Sequence, residues 1–196
     1  PTVDVSKAME LYLDDMLAPE IVVHGVCMEV YGIGVVITGK SGIGKSECAL
    51  ELIKRGHKLV SDDAVIVKRC LNSLIGSSDD LLNNYIALRG IVVLNITNMF
   101  GLTAVNPRKE IEMFIDFVDY DEWNDDYSGD RIGLDNRTKE LLGLEIPNIL
   151  CPVSPGRNMS EIVELAVKNQ LMKQMGYDSA VEFTKAVAAK IQEKQG

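Results

Sequence analysis

Eight consecutive residues, Gly39-Lys40-Ser41-Gly42-Ile43-Gly44-Lys45-Ser46, set the strongest limit on what this chain can fold into. They fit the phosphate-binding loop pattern of Gly, any four residues, Gly, Lys, then Ser or Thr. Each position has a physical task. The glycines let backbone N–H groups turn inward around phosphate oxygens, Lys45 brings a cation to the terminal phosphates, and the Ser46 hydroxyl can ligate Mg²⁺. Such a loop joins a strand to a helix. Residues 34–38 read as a short buried strand, and residues 46–55 as a helix whose N-terminus faces the anion and which ends at Gly56. The expected fold is therefore α/β, with a mixed sheet flanked by helices.

Composition narrows the function classes. The chain has 196 residues, of which 46% are hydrophobic and 25% charged, enough for one domain with a sizeable core. A formal net charge of −9 disfavours nonspecific nucleic-acid binding, so phosphate has to be captured by local groups. Cys27, Cys48, Cys70 and Cys151 stand far apart and, with His24 and His57, make no zinc spacing, so they read as reduced thiols. No apolar stretch approaches a membrane span and no signal-type start is present, which points to the cytoplasm and to no membrane partner. Pro1 as first residue fits a piece of a longer chain.

Along the chain, residues 6–17 carry apolar side chains at loosely helical spacing, and residues 1–20 read as a lead-in helix and linker to a domain at 21–196. Strands are expected at 21–30, 34–38, 57–61, 64–68, 91–96 and 111–117, with a polar flexible loop at 72–80. The acidic segment 119–129 reads as a solvated loop, and the last third as helical. Asn158 with Glu161, and Ser179 with Glu182, have capping-box spacing or a close relative of it. Leu171, Met172 and Met175 mark a stripe suited to core packing or to an interface between subunits.

Phosphoryl transfer to a hydroxyl needs a base as well as charge neutralisation. The Asp62-Asp63 pair follows the loop helix closely, at the end of the next strand, and adjacent strand residues project to opposite faces. That suits a division of labour, one carboxylate toward a metal and one toward the attacking or leaving oxygen.

Taken together, several stretches resemble HPr kinase/phosphorylase. They are Val23-His24-Gly25-Val26, the loop with Glu47, the run from Ala49 to His57, Asp62-Asp63, Arg89-Gly90, Asn95-Ile96, Phe100-Gly101, Asp130-Arg131-Ile132-Gly133 and Pro155-Gly156-Arg157-Asn158. The resemblance spans about residues 12–180, covers that family's catalytic domain only, and implies a phosphoenolpyruvate-carboxykinase-like phosphate-loop fold. It implies a bacterial enzyme that phosphorylates a serine of the phosphocarrier protein HPr with ATP or pyrophosphate and Mg²⁺. The same enzyme reverses the reaction with inorganic phosphate. Family members are hexamers. By position, Asp62 becomes the base and acid, Asp63 and Ser46 the metal side, and His24 a histidine beside the acids. Arg131 steadies the transferred group, while Arg89 and Pro155, Gly156, Arg157 and Asn158 meet substrate or a neighbouring subunit. Three positions depart from the family pattern: Ala87 replaces a metal-associated glutamate, Val92 a glycine, and Ser154 a basic residue. A catalytically weakened nucleotide-binding regulator and a generic phosphate-loop ATPase are the competing expectations. Labelled ATP with HPr separates them, by labelled HPr, binding without product, or free phosphate alone.

Overall fold

The computed structural model describes Met9, residues 17–79, 84–121, Trp123, 137–178 and Glu182. The expected lead-in helix, the bulk of the acidic segment, Arg131 and the Ser179 cap lie outside the described residues.

Three layers stack on one another. The middle layer is a six-stranded mixed sheet in the order β11-β12-β10-β3-β2-β4, formed by β2 (Val26–Val30), β3 (Ile33–Gly39), β4 (Lys58–Ser61), β10 (Met113–Asp119), β11 (Thr138–Leu141) and β12 (Leu144–Val153). Strands β3, β10 and β12 run parallel; the other pairings are antiparallel. On one face lie α1 (Lys45–Lys54) and α3 (Met159–Gln174), and on the other a four-stranded antiparallel sheet of β1 (Glu20–His24), β5 (Ala64–Cys70), β6 (Ser73–Ser77) and β9 (Arg108–Ile111). A hairpin of β7 (Tyr85–Leu88) and β8 (Val92–Asn95) leads into the short α2 (Ile96–Phe100).

Residues 33–38 are apolar or small without alternation because β3 is covered on both faces. Val35 and Ile37 pack toward Ala49, Leu52, Val163 and Val167 of the helices, whereas Val36 joins Phe114, Val65, Val67 and Leu74 between the two sheets. Full burial of Leu52 and Ile53 contributes about 2 kcal/mol each, which fixes α1 against the sheet.

The chain crosses between the two sheets at three places, and this overturns several strand expectations. Segment 21–30 is not one strand: β1 belongs to the outer sheet and β2 to the central one, with the break at Gly25. A Cβ at Gly25 would stand 2.6 Å from the Ile37 carbonyl oxygen, so only glycine lets the chain pass there. Segment 111–117 likewise splits at Glu112, whose N–H donates to the Gly34 carbonyl and whose carboxylate accepts the Gly34 N–H. The third crossing, between β4 and β5, is Asp62-Asp63 itself. Segment 72–80 is not a loop but holds β6, paired with β5 and β9, because Leu74 fills the space between the sheets. The last third is not uniformly helical either. Strands β11 and β12 precede α3, since residues 144–153 complete the parallel core beside β10.

Candidate active site

Strand β3 ends at Gly39, where φ is 141° and an added Cβ would lie 2.5 Å from the Phe117 carbonyl oxygen of the neighbouring strand. The loop then curls back and enters α1 through Gly44 in a left-handed conformation. The first N–H groups of a helix have no intrahelical acceptors, and they point with the positive end of the helix dipole into the cradle. Lys45 is almost fully buried, and its ammonium donates to the carbonyls of Gly39 at 2.8 Å and Lys40 at 3.0 Å. Burial pulls its pKa below the ordinary lysine value, even though the charges of Asp63 and Asp62 oppose this.

The acid pair stands beside the cradle. Asp62 accepts a hydrogen bond from the Ser46 hydroxyl at 2.9 Å and, on its other oxygen, from the Ala87 backbone N–H of β7 at 3.0 Å. Burial, reinforced by the neighbouring Asp63 charge, raises the Asp62 carboxyl above its ordinary range despite those two bonds and a weaker one from the Asp63 backbone. Asp63 turns the other way. Its backbone is left-handed, with φ 70°, and its carboxylate lies 3.2 Å from His24 Nδ1 at the exposed rim. The two sheet crossings are stitched together there, since the Gly25 N–H donates to the Asp63 carbonyl at 3.1 Å. From the hairpin, Arg89 reaches over the loop and donates to the Ser41 hydroxyl at 2.8 Å.

These groups line one pocket of about 280 Å³, walled by His24, Ser41, Lys45, Ser46, Asp62, Asp63 and Arg89, with Gly42, Gly44, Glu47, Val26 and Ala87 completing it. Most of the site residues expected from sequence therefore meet in one place. Within it the Ser46 hydroxyl is bonded to Asp62, while Asp63 pairs with His24, the histidine expected beside the acids. The left-handed turn at Asp63 rather than strand alternation sends the two carboxylates apart. The segment Pro155-Gly156-Arg157-Asn158 does not line the pocket: Arg157 donates to the Pro152 carbonyl at 3.4 Å, and Asn158 caps α3.

Sequence reasoning missed the Ala87 N–H as the donor that holds Asp62, because a backbone donor leaves no trace in residue type. It also missed Asp116, in the middle of β10. That carboxylate accepts from Thr38 Oγ1, from Lys139 Nζ at 3.0 Å and from Asn148 Nδ2 at 2.9 Å, directly behind the loop strand. The signal was present in the apolar alternation of β10 but reads equally well as a solvent face.

Among the described residues no group of three or more His, Cys, Asp or Glu side chains could hold a metal ion unaided. The Ser46 hydroxyl and the Asp63 carboxylate, the groups expected on the metal side, both line the pocket. No described helix is long and apolar enough to cross a membrane.

The family model described as the HPr Serine kinase C-terminal domain matches residues 15–187. The chain belongs to that family. Relatives named HPr kinase/phosphorylase agree. One from Alkaliphilus metalliredigens is 44% identical over 191 residues, covering 97% of this chain and 60% of its own length. Another, from Leptospira biflexa, is 47% identical over 184 residues, 92% of this chain and 56% of the relative. The chain thus spans about three-fifths of these HPr kinase/phosphorylases. A solved structure of the Hpr(Ser) kinase/phosphatase from Coxiella burnetii superposes with a TM-score of 0.72 at 38% identity, covering 83% of this chain and 98% of that one. The α/β fold is accordingly that of the HPr kinase family.

Proposed function

We propose that this chain is the catalytic part of a bifunctional enzyme that moves a phosphoryl group between ATP or pyrophosphate and a seryl hydroxyl of HPr. The observation that carries this reading is the Asp62 carboxylate, held 2.9 Å from the Ser46 hydroxyl beside the phosphate cradle and raised in pKa by burial. A carboxyl so poised takes a proton in one direction and returns it in the other.

In the kinase direction the seryl oxygen attacks the terminal phosphorus, Asp62 accepts the seryl proton, and the bond to ADP or to phosphate breaks. In the phosphorylase direction an oxygen of inorganic phosphate attacks the phosphoserine phosphorus. The bond to the seryl oxygen breaks, protonated Asp62 returns its proton to that oxygen, and pyrophosphate is the product. Lys45 exchanges its two loop carbonyls for phosphate oxygens, and Arg89 adds a second cation from the hairpin side. Asp63 is oriented by His24 and is free at the rim to meet incoming groups. Ser46 and Asp63, which line the same pocket, would hold Mg²⁺ together with substrate phosphates; when bound, the ion neutralises charge on the phosphate oxygens. Arg131, outside the described residues, is the further cation assigned to the transferred group. Residues Pro155 to Asn158 are assigned to contact with HPr or a neighbouring subunit. Residues 21–196 are taken as the catalytic domain, in a hexamer in the bacterial cytoplasm with no nucleic-acid partner.

Incubation with labelled ATP, Mg²⁺ and HPr tests the proposal, followed by phosphate with phospho-HPr and an assay for pyrophosphate. Labelled HPr in the first and pyrophosphate in the second are expected. Nucleotide binding with no product in either would reduce the chain to a sensor, and free phosphate alone would make it an ATPase.

A further inference from the structure

The run Arg55-Gly56-His57 closes α1 but takes no part in the phosphate pocket, yet its side chains join an ionic cluster with Glu161 and Glu164 of α3. Arg55 Nη2 donates to Glu161 Oε1 at 2.9 Å, and its other arm lies 3.8 Å from Glu164. His57 Nε2 lies 2.9 Å from Glu164 Oε1, with the two side chains only 7% and 13% exposed. The hydrogen bond from His57 and the Arg55 charge hold the Glu164 carboxyl below its ordinary value, although burial pushes the other way. Tyr31, in the turn between β2 and β3, stands edge-on to His57 at 4.7 Å and carries Lys168 over its ring at 4.7 Å. Three elements meet here: the far end of the phosphate-loop helix, the hairpin that feeds the loop, and α3.

The cluster grips one part of α3, its first two turns. Glu161 is shared, because the oxygen that receives Arg55 also receives the Asn158 side-chain amide at 2.9 Å, and Asn158 caps the helix. The loop Pro155-Gly156-Arg157-Asn158 is therefore tied through one carboxylate to the C-terminus of α1, whose N-terminus carries Lys45 and Ser46 about 15 Å away. Apolar contacts of Val163 and Val167 with the helix layer already dock α3. The His57–Glu164 pair is buried while the Arg55–Glu161 pair lies at the surface, so the cluster adds little stability over apolar packing, and its directional bonds set where the start of α3 sits against α1.

We infer that Arg55 and Glu161, braced by the His57–Glu164 pair, are positioning residues that hold the 154–158 loop in register with the phosphate cradle, so that they govern engagement of the protein substrate and not of the nucleotide. This rests on the reading that the loop meets HPr.

In the full chain, Arg55→Met keeps the aliphatic stem and removes the guanidinium, while Arg55→Lys retains a cation. For Arg55→Met the KM for HPr is expected to rise by about tenfold or more, with ATP affinity unchanged. Amide exchange should quicken over residues 154–158 but not over 40–46, and Arg55→Lys should recover part of the loss. His57→Gln, which keeps a hydrogen-bonding side chain, should give a smaller change of the same kind. An unchanged KM, or a parallel loss of ATP affinity and HPr affinity, would overturn the inference. Should the unaltered chain fail to phosphorylate HPr, the functional reading falls on its own, and the exchange pattern still decides whether the cluster positions the loop.

Discussion

Two partly buried aspartates flank the phosphate loop, and their environments are opposite. Asp116, on the face away from α1, has three donors, one of them a lysine, and its carboxyl is held below the ordinary range although burial alone would raise it. Asp62, on the pocket side, has a hydroxyl and the backbone N–H groups of Ala87 and Asp63 but no cation bonded to it, with a second carboxylate next to it, and there burial wins. The same residue type is satisfied as an anion in one place and left short of compensation in the other. A carboxylate kept uncomfortable next to an anion cradle is set up to trade protons, whereas a fully bonded one holds strands together. Asp116 links β10 to β3 through Thr38 and to β11 and β12 through Lys139 and Asn148.

Substitutions can break this contrast. Asp62→Asn should lower phosphoryl transfer in both directions by about a hundredfold or more, while the unfolding free energy stays level or rises at neutral pH. The sign follows from the raised pKa: an ionised Asp62 costs stability above its unfolded pKa, so removing the charge removes that cost. Urea unfolding alongside initial rates checks both halves, and a strongly destabilised Asp62→Asn would collapse the distinction between the two aspartates.

Asp116→Ala should do the reverse, losing about 3 kcal/mol of stability because it leaves Lys139, Asn148 and Thr38 without their shared acceptor. Any residual activity should keep its Mg²⁺ and ATP dependence. Because the Asp116 pKa is depressed, its contribution is present above the unfolded carboxyl value of about 4 and is lost as pH falls through the folded value. The difference in stability between the parent chain and Asp116→Ala should therefore shrink in acid. A difference that stays constant down the pH scale would show that the carboxylate charge is not what matters.

The smallest effect is expected at Ala87. Its N–H already serves Asp62, and its exposed side chain stands at the pocket wall. Ala87→Glu should lower the Mg²⁺ concentration needed for half-maximal HPr phosphorylation by several-fold, a gain of about 1 kcal/mol. Titration of initial rate against Mg²⁺ decides this, and an identical curve would mean that no metal position lies within reach of residue 87.

The phosphate loop, its strand and its helix were legible from residues 34–55 because their chemistry is local: a glycine pattern, an apolar run and a glycine stop. The capping of α3 by Asn158 and Glu161 was legible for the same reason. The splitting of segments 21–30 and 111–117 was not, since what breaks them is a neighbour, the Ile37 carbonyl against Gly25 and the Gly34 backbone against Glu112. Strand β6 was hidden by its turn-rich composition and is held by pairing on both sides.

By itself the sequence determined that this protein carries a loop of the phosphate-cradling pattern with two acids close behind it, because backbone conformation at glycine and residue spacing act over a few residues. Only the tertiary structure decided which acid shares the Ser46 hydroxyl, which one meets His24, and which third aspartate serves the framework. Those outcomes depend on desolvation and on donors from strands distant in sequence, and neither is a property of a residue until the chain has closed around it.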